Sequence, residues 1–467
     1  MNVATPFWNT LQAKADELAV IDHESSQSLT YAVLAARVAR AAEQLGGSGR
    51  SLVLLFANTD LGGIVCYLGA LAAGQAVFLS PTGIQHAGAV TLIEQYRPEL
   101  VVWGSGAAPG VLADEYELGG HADVYQILRR RSRRDPPPHP ELALVLSTSA
   151  STGSSKAVRI GGAGLAASSI QVAETLAVTP SDRALLNLPL SYVYGLSVLN
   201  SSLYAGATVV LVKGTFADPS FGTRLASAAV STIACVTQTL EYMRSMQMSS
   251  VTLPSVRRLT HAGSRLDPVL FDWVYEHFGR HGIELYLMYG QTEACGRIAV
   301  LPPQALPELH RSVGRAMRGG EIRLSTEGEV VYRGPGVMLG YARGREDLSQ
   351  GDVAHGELYT GDLGRFDAQG NLFITGRLSR YCKVFGKRVN LDDVEQFAAD
   401  HRPTAAVEKD GIVGVFFEGD TPAPSPVLMR MARRFQLPPQ SFRLYSVAAL
   451  PRTARGKVCY QTLTSLL

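Results

Sequence analysis

LVLSTSASTGSSKAVRI, residues 144–160, opens as an apolar run of strand type and breaks into a Ser, Thr and Gly loop that ends in Lys156. Hydroxyls and backbone N–H groups in such a loop can cradle phosphate oxygens, and one lysine adds positive charge. It is not a Walker P-loop, because GxxxxGK[ST] occurs nowhere in the chain. Taken alone, the segment is open between a phosphate cradle and a flexible serine-rich turn.

On its N-terminal side, apolar residues from Leu29 to about Gly46 recur at helical spacing, and residues 51–56 read as a short buried strand. Residues 62–73 read as a helix ended by Gly74, and residues 76–79 as a strand closed by the turn Ser80-Pro81. The alternation continues through residues 100–103, 143–146, 184–188, 208–212, 232–236 and 284–288. Strands alternating with helices predict βαβ units, so the fold class is α/β with parallel-rich sheets flanked by helices. No repeat of fixed period is visible. RRRSRRDPPPHP, residues 129–140, is the most biased stretch and reads as a solvated loop rather than a nucleic-acid or membrane patch.

A chain of 467 residues exceeds what one hydrophobic core supports, so at least two folding units are expected. Beyond Gly376 the character changes to a Lys/Arg-rich stretch, a helix-like acidic pattern over 389–399 and a strand over 411–418. The boundary is placed at 376–379: a large domain over 1–376, a hinge over 377–379 and a small α+β domain over 380–467. Lys plus Arg total 43 against 41 for Asp plus Glu, a net charge of +2 that gives nucleic acid no foothold and leaves a small molecule as the expected partner. The apolar stretches are too short and too Gly-rich to span a bilayer. Cys66, Cys235, Cys295, Cys382 and Cys459 form no CxxC pair and suit reduced thiols, and the N-terminus has no basic region followed by an apolar run; the expected compartment is the cytoplasm.

Three further segments carry chemistry. ELYLMYGQTEACGR, residues 284–297, ends a strand at Tyr289-Gly290, where an aromatic face suits a purine; Thr292 and Glu293 then offer a hydroxyl and a carboxylate to phosphate and its metal. In GELYTGDLGRFDAQGNLFITGR, residues 356–377, Asp362 sits in a Gly-flanked turn where a carboxylate can accept from two ribose hydroxyls, and Arg377 can fork onto ribose or phosphate oxygens. In LPRTARGKV, residues 450–458, Lys457 follows a glycine in a basic loop, where a mobile ammonium can neutralise charge developing at an α-phosphate.

Together and in this order the segments resemble the ANL superfamily of adenylate-forming enzymes: acyl- and aryl-CoA synthetases, adenylation domains of peptide synthetases, and luciferases. The similarity runs from Leu29-Thr30-Tyr31 to Lys457. It implies an ANL-like fold whose small C-terminal domain is mobile, and an ATP-dependent, Mg²⁺-requiring ligase. Such an enzyme forms an acyl-AMP from a small carboxylic acid and passes the acyl group to coenzyme A or to the phosphopantetheine of an acyl or peptidyl carrier protein. Thr148, Ser149, Ser151, Thr152, Gly153 and Lys156 would hold the β- and γ-phosphates. Gly263 and Ser264 would lie near adenine, Tyr289 would stack on it, and Gly290 and Gln291 would belong to the same nucleotide site. Thr292 would touch the α-phosphate, Glu293 would bind the metal, Asp362 and Arg377 would meet the ribose, and Lys457 would be the catalytic lysine. Ser379 matches the hinge, and Gly386 the face that lines the thiol channel after the small domain rotates.

The phosphate loop departs from the family's TSG[ST]TGxPKG at Ala150, Ser155 and Ala157, which removes two glycines and a proline. The stretch LPLSYVYGL, residues 188–196, resembles the family's acid-pocket segment, which assigns Tyr192, Val193, Tyr194 and Ser197 to that pocket. Val193 stands where amino-acid-activating relatives carry an aspartate, so a substrate ammonium would lack its counter-charge and an apolar acyl or aryl acid is expected. Tyr192 is open between a pocket or thiol-entrance residue and a packed aromatic. The alternatives are an amino-acid-type adenylating enzyme, a luciferase-like oxygen-using enzyme, and a nucleotide-binding homologue without catalysis.

Overall fold

The computed structural model describes residues 6–47, 49–81, 83–84, 86–104, 115–132, 135–147, 156–399, 402–419, 425–452 and 458–467. The expectations for Thr148, Ser149, Ser151, Thr152, Gly153 and Lys457 lie outside the described residues. The described residues fall into two compact units, one drawn from Met1–Thr148, Lys156–Ile322 and Tyr332–Leu358, the other from Arg323–Val331 and Tyr359–Leu467.

Among the described residues the first unit holds two large sheets. In one of nine strands, Glu284–Tyr289, Arg258–His261, Thr232–Cys235, Arg183–Leu185, Thr208–Leu211 and Leu18–Asp22 run parallel, and antiparallel strands close both edges. In one of eight strands, Leu142–Ser147, Ala76–Pro81, Leu52–Ala57 and Leu100–Trp103 form the parallel centre. These central strands read as continuous apolar runs because both faces are covered: all six residues of Leu52–Ala57 are buried.

Two helices show how the sequence chooses its layer. Tyr31–Leu45 buries Tyr31, Leu34, Val38, Ala41 and Leu45, one stripe at helical spacing, and Thr30 caps its first turn. Leu61–Ala72 is buried from Leu61 to Leu71 and apolar all round, as a helix enclosed between other elements must be; Asp60 caps it at Gly63 N, 2.8 Å away.

The first two residues of the basic stretch at 129–140 correct the expected solvated loop, while its other described residues lie in no strand or helix. Arg129 and Arg130 belong to the strand Tyr125–Arg130, paired on both sides, and Arg130 Nη1 lies 2.6 Å from Asp135 Oδ2. Alternation of Tyr125, Ile127 and the arginine stems buries one face while the charged heads reach outward. The sheets are also more mixed than expected, since Ala157–Gly161 runs back antiparallel along Leu142–Ser147.

The second unit is α+β. Its residues 323–331 and 359–377 supply most of a four-stranded sheet of Glu321–Leu324, Glu329–Arg333, Glu357–Phe366 and Leu372–Arg377. The hairpin Tyr381–Val384/Lys387–Asn390 turns through Phe385 and Gly386, both with positive φ, and leads into the helix Leu391–Ala398, capped by Asn390. A three-stranded sheet of Thr404–Lys409, Ile412–Glu418 and Phe442–Val447 shares a core of Val394, Val413, Val415, Phe417 and Met431 with the helices Leu391–Ala398 and Ser425–Phe435.

Candidate active site

The turn after the strand Glu284–Tyr289 is closed on itself. Ile298 N donates to Tyr289 O over 2.8 Å and Gly296 N to Gln291 O over 2.9 Å. A Cβ on Gly290 would stand 2.2 Å from the Gly296 carbonyl oxygen, so only glycine fits there. Cys295 and Gly296 take positive φ and turn the chain back inward. This fold presents the single helical turn Thr292–Ala294 next to Tyr289, and it buries the Glu293 side chain.

Glu293 is held from two directions. Its carbonyl accepts from Met338 N at 2.8 Å, and its Oε1 accepts from the Tyr341 hydroxyl at 2.9 Å. Tyr341 lies in the strand Gly340–Ala342, paired with Ala157–Gly161, so Lys156 reaches over it with Nζ 3.8 Å from the ring centroid. Burial, then the Glu293 charge, pushes the Tyr341 phenol well above its ordinary range, so it remains a donor to the carboxylate. Lys156, Tyr341 and Glu293 thus form one chain of contacts, joining the lysine expected at the phosphates to the carboxylate expected at the metal. Sequence reasoning missed Tyr341: a Gly-Tyr dipeptide in a three-residue strand carries no signal until its partner strand is known.

Gly263 has φ of 98°, and a Cβ there would stand 2.8 Å from the Tyr192 hydroxyl. The Ser264 hydroxyl is 2.6 Å from Thr237 Oγ1, which also lies 3.4 Å from His261 Nε2. His261 is fully enclosed, and burial pushes its pKa down to about 4. Of the residues expected in the acid pocket, Tyr192 is half-buried at the head of the helix Val193–Ala205 and Val193 is buried behind it. Tyr194 is fully buried, with its hydroxyl 2.8 Å from Thr260 O, and Ser197 donates to Tyr194 O. Val193, Leu196, Ser197, Asn200, Ser168 and Cys295 line an interior cavity of about 10 Å³, room for roughly one water and too small for an acid. Sequence reasoning also missed Arg297, whose guanidinium carbon sits 4.1 Å from the Tyr194 ring centroid.

In the second unit, Asp362 and Arg377 face each other in register, and Arg377 Nε lies 2.6 Å from Asp362 Oδ1. Asp362 is buried and Arg377 half-exposed. Ser379 is exposed in the short helical turn Leu378–Arg380, and Gly386 is at the tip of its hairpin. Tyr289, Thr292, Glu293 and Lys156 belong to the first unit.

Over residues 7–342 the chain matches the family model described as AMP-binding enzyme. The chain belongs to that family. It is 27% identical over 331 residues, 68% of each chain, to the 2-succinylbenzoate–CoA ligase of Listeria innocua. It is 28% identical over 364 residues, 72% of this chain and 70% of the relative, to the indoleacetate–CoA ligase of Aromatoleum aromaticum. Among solved structures, O-succinylbenzoate coenzyme A synthetase from Bacillus subtilis, in complex with ATP and magnesium ion, superposes with a TM-score of 0.75 at 22% identity over 98% of this chain and 99% of that one. ATP-bound MatB from Rhodopseudomonas palustris gives 0.79 at 21% identity over 100% and 99%. These likenesses establish the ANL fold. No described helix is long and apolar enough to cross a membrane.

Proposed function

We propose that this AMP-binding enzyme joins a small carboxylic acid of aryl type to coenzyme A. The acid's carboxylate attacks the α-phosphate of ATP, pyrophosphate leaves, and the thiol then attacks the acyl carbon and releases AMP. The observation that supports the reading is the Lys156–Tyr341–Glu293 chain of contacts, which holds a cation and a carboxylate on either side of one phenol. Among the described residues no cluster of three or more metal-ligating side chains exists, so a divalent ion here would rely on Glu293 and on phosphate oxygens. That donor set suits Mg²⁺, which would neutralise phosphate charge.

The residues divide the work. Lys156 supplies charge to the terminal phosphates together with Thr148, Ser149, Ser151, Thr152 and Gly153. Gly263, Ser264, Tyr289, Gly290 and Gln291 form the adenine wall, and Thr292 donates to the α-phosphate. Asp362 accepts from the ribose hydroxyls while Arg377 orients it. Lys457 stabilises charge as the adenylate forms, the segment 377–379 with Ser379 acts as the hinge of a mobile small domain, and Gly386 lies in the thiol path. Val193 leaves a substrate ammonium without a counter-charge, which disfavours α-amino acids. Coenzyme A is favoured over a carrier-protein phosphopantetheine because the two relatives described above are named as CoA ligases. The cytoplasm, where ATP and coenzyme A are at hand, is the proposed compartment.

Acid-dependent exchange of pyrophosphate into ATP, measured across fatty, aryl and amino acids, tests this reading; an aryl acid is expected to support it, and no exchange with any acid would refute it. Lys457→Ala should lower exchange at least about 100-fold while largely keeping thioester formation from supplied acyl-AMP. Equal loss in both half-reactions would remove Lys457 from its role.

A further inference from the structure

Five arginines are buried among the described residues: Arg159, Arg258, Arg297, Arg345 and Arg380. Four are compensated in the usual way, by carboxylates or by several carbonyl oxygens. Arg345 forms a two-pronged pair with Glu99 at 2.6 and 3.0 Å, Arg258 meets Asp182 and Glu284, and Arg380 meets Asp392 and Glu395. Arg159 donates to the carbonyls of Tyr341, Leu339, Gln350 and Gly351.

Arg297 is the exception. It is 4% exposed, its one hydrogen bond runs from Nη1 to the carbonyl of the preceding residue Gly296 at 2.9 Å, and its Nε, like that of Arg345, is buried with no acceptor. No carboxylate among the described residues pairs with it. Its guanidinium lies on the face of Tyr194, and that ring is fixed by hydrogen bonds from its hydroxyl to Thr260. An aromatic face softens the isolation of a cation but gives no hydrogen-bond acceptor to N–H groups lying in the guanidinium plane. The position is built rather than accidental: Cys295 and Gly296 adopt positive φ to aim the chain inward, and Gly296 packs on Val193, next to Tyr192. Those two residues are the acid-pocket side chains of the reading above.

We propose that the acid activated by this enzyme carries a second carboxylate, remote from the one that attacks ATP, and that Arg297 receives it. A carboxylate offers two acceptors in the plane of the guanidinium fork and supplies the missing counter-charge. Arg297 is then a specificity residue that touches substrate but not the reacting atoms. The inference deepens the ligase reading and rests on it.

Pyrophosphate exchange with matched pairs tests it: hexanoate against adipate, phenylacetate against homophthalate, and benzoate against phthalate. At least one diacid is expected to exceed its monoacid partner about tenfold or more in kcat/KM, the difference lying mainly in KM. Arg297→Met should lower that diacid-to-monoacid ratio at least about tenfold, and Arg297→Lys, which keeps the charge but not the fork, should lower it less. If the methionine variant does not fold, the ratio in Arg297→Lys decides, and an unchanged ratio there overturns the assignment. Preference for every monoacid, or a ratio unmoved in both variants, also overturns it while leaving the ligase standing. Absence of exchange with any acid overturns both.

Discussion

Burial of His261 has a consequence that can be measured apart from catalysis. Its imidazole is pushed from an ordinary value of 6.5 down to about 4. As pH falls, the unfolded chain takes up this proton near pH 6.5 and the folded chain only near pH 4, so the unfolded state binds more protons across that window. The enzyme therefore loses stability as pH falls from about 6.5 to about 4, by on the order of 3 kcal/mol from this group. Urea unfolding at pH 7 and pH 4.5 should show His261→Gln losing about 2 kcal/mol less than the unaltered chain between the two conditions; an equal loss would mean that the imidazole titrates freely. At this scale the sequence was legible where chemistry came with a motif, as in Thr292-Glu293, and illegible where it came from tertiary meeting. Tyr341 lies 48 residues beyond the Glu293 carboxylate it holds, and Arg297 looks like any arginine until its surroundings are known.

The helical turn Leu378–Arg380 ends in a residue that ties together most of its unit. Arg380 Nε lies 2.7 Å from Asp392 Oδ1, Nη2 contacts Glu395, Nη1 donates to Ala406 O at 2.8 Å, and the guanidinium carbon lies 4.0 Å from the Tyr460 ring centroid. One side chain therefore joins that turn to the helix Leu391–Ala398, the strand Thr404–Lys409 and the helix Tyr460–Leu466. Arg380→Met leaves Glu395 buried with its pairing lost, and the expected cost is about 3 kcal/mol. Adding Glu395→Gln should restore part of that loss in urea unfolding, since the stranded charge is gone; strict additivity of the two changes would show that the pair is not coupled. Element positions were mostly readable: the expected strands at 51–56, 100–103 and 284–288 appear as Leu52–Ala57, Leu100–Trp103 and Glu284–Tyr289. The antiparallel strands Tyr116–Ala122 and Tyr125–Arg130 were not, because glycines and arginines mask the alternation that burial imposes on them.

For the molecule as a whole, the α/β class followed from strand and helix periods alone, while the ANL assignment needed four separated motifs in order. Periodicity tells how much surface each element must bury, but not which strand neighbours which; that is why the parallel centres were foreseen and their antiparallel edges were not. The proposed ligase reaction turns on a covalent event: the acid's own oxygen ends on phosphorus. It is tested by supplying the preferred acid with ¹⁸O in both carboxylate oxygens, together with ATP and coenzyme A, and weighing the products. Transfer of one heavy oxygen to AMP, with the other kept in the thioester, is the predicted result. Unlabelled AMP, or heavy oxygen recovered in inorganic phosphate beside ADP, would contradict it.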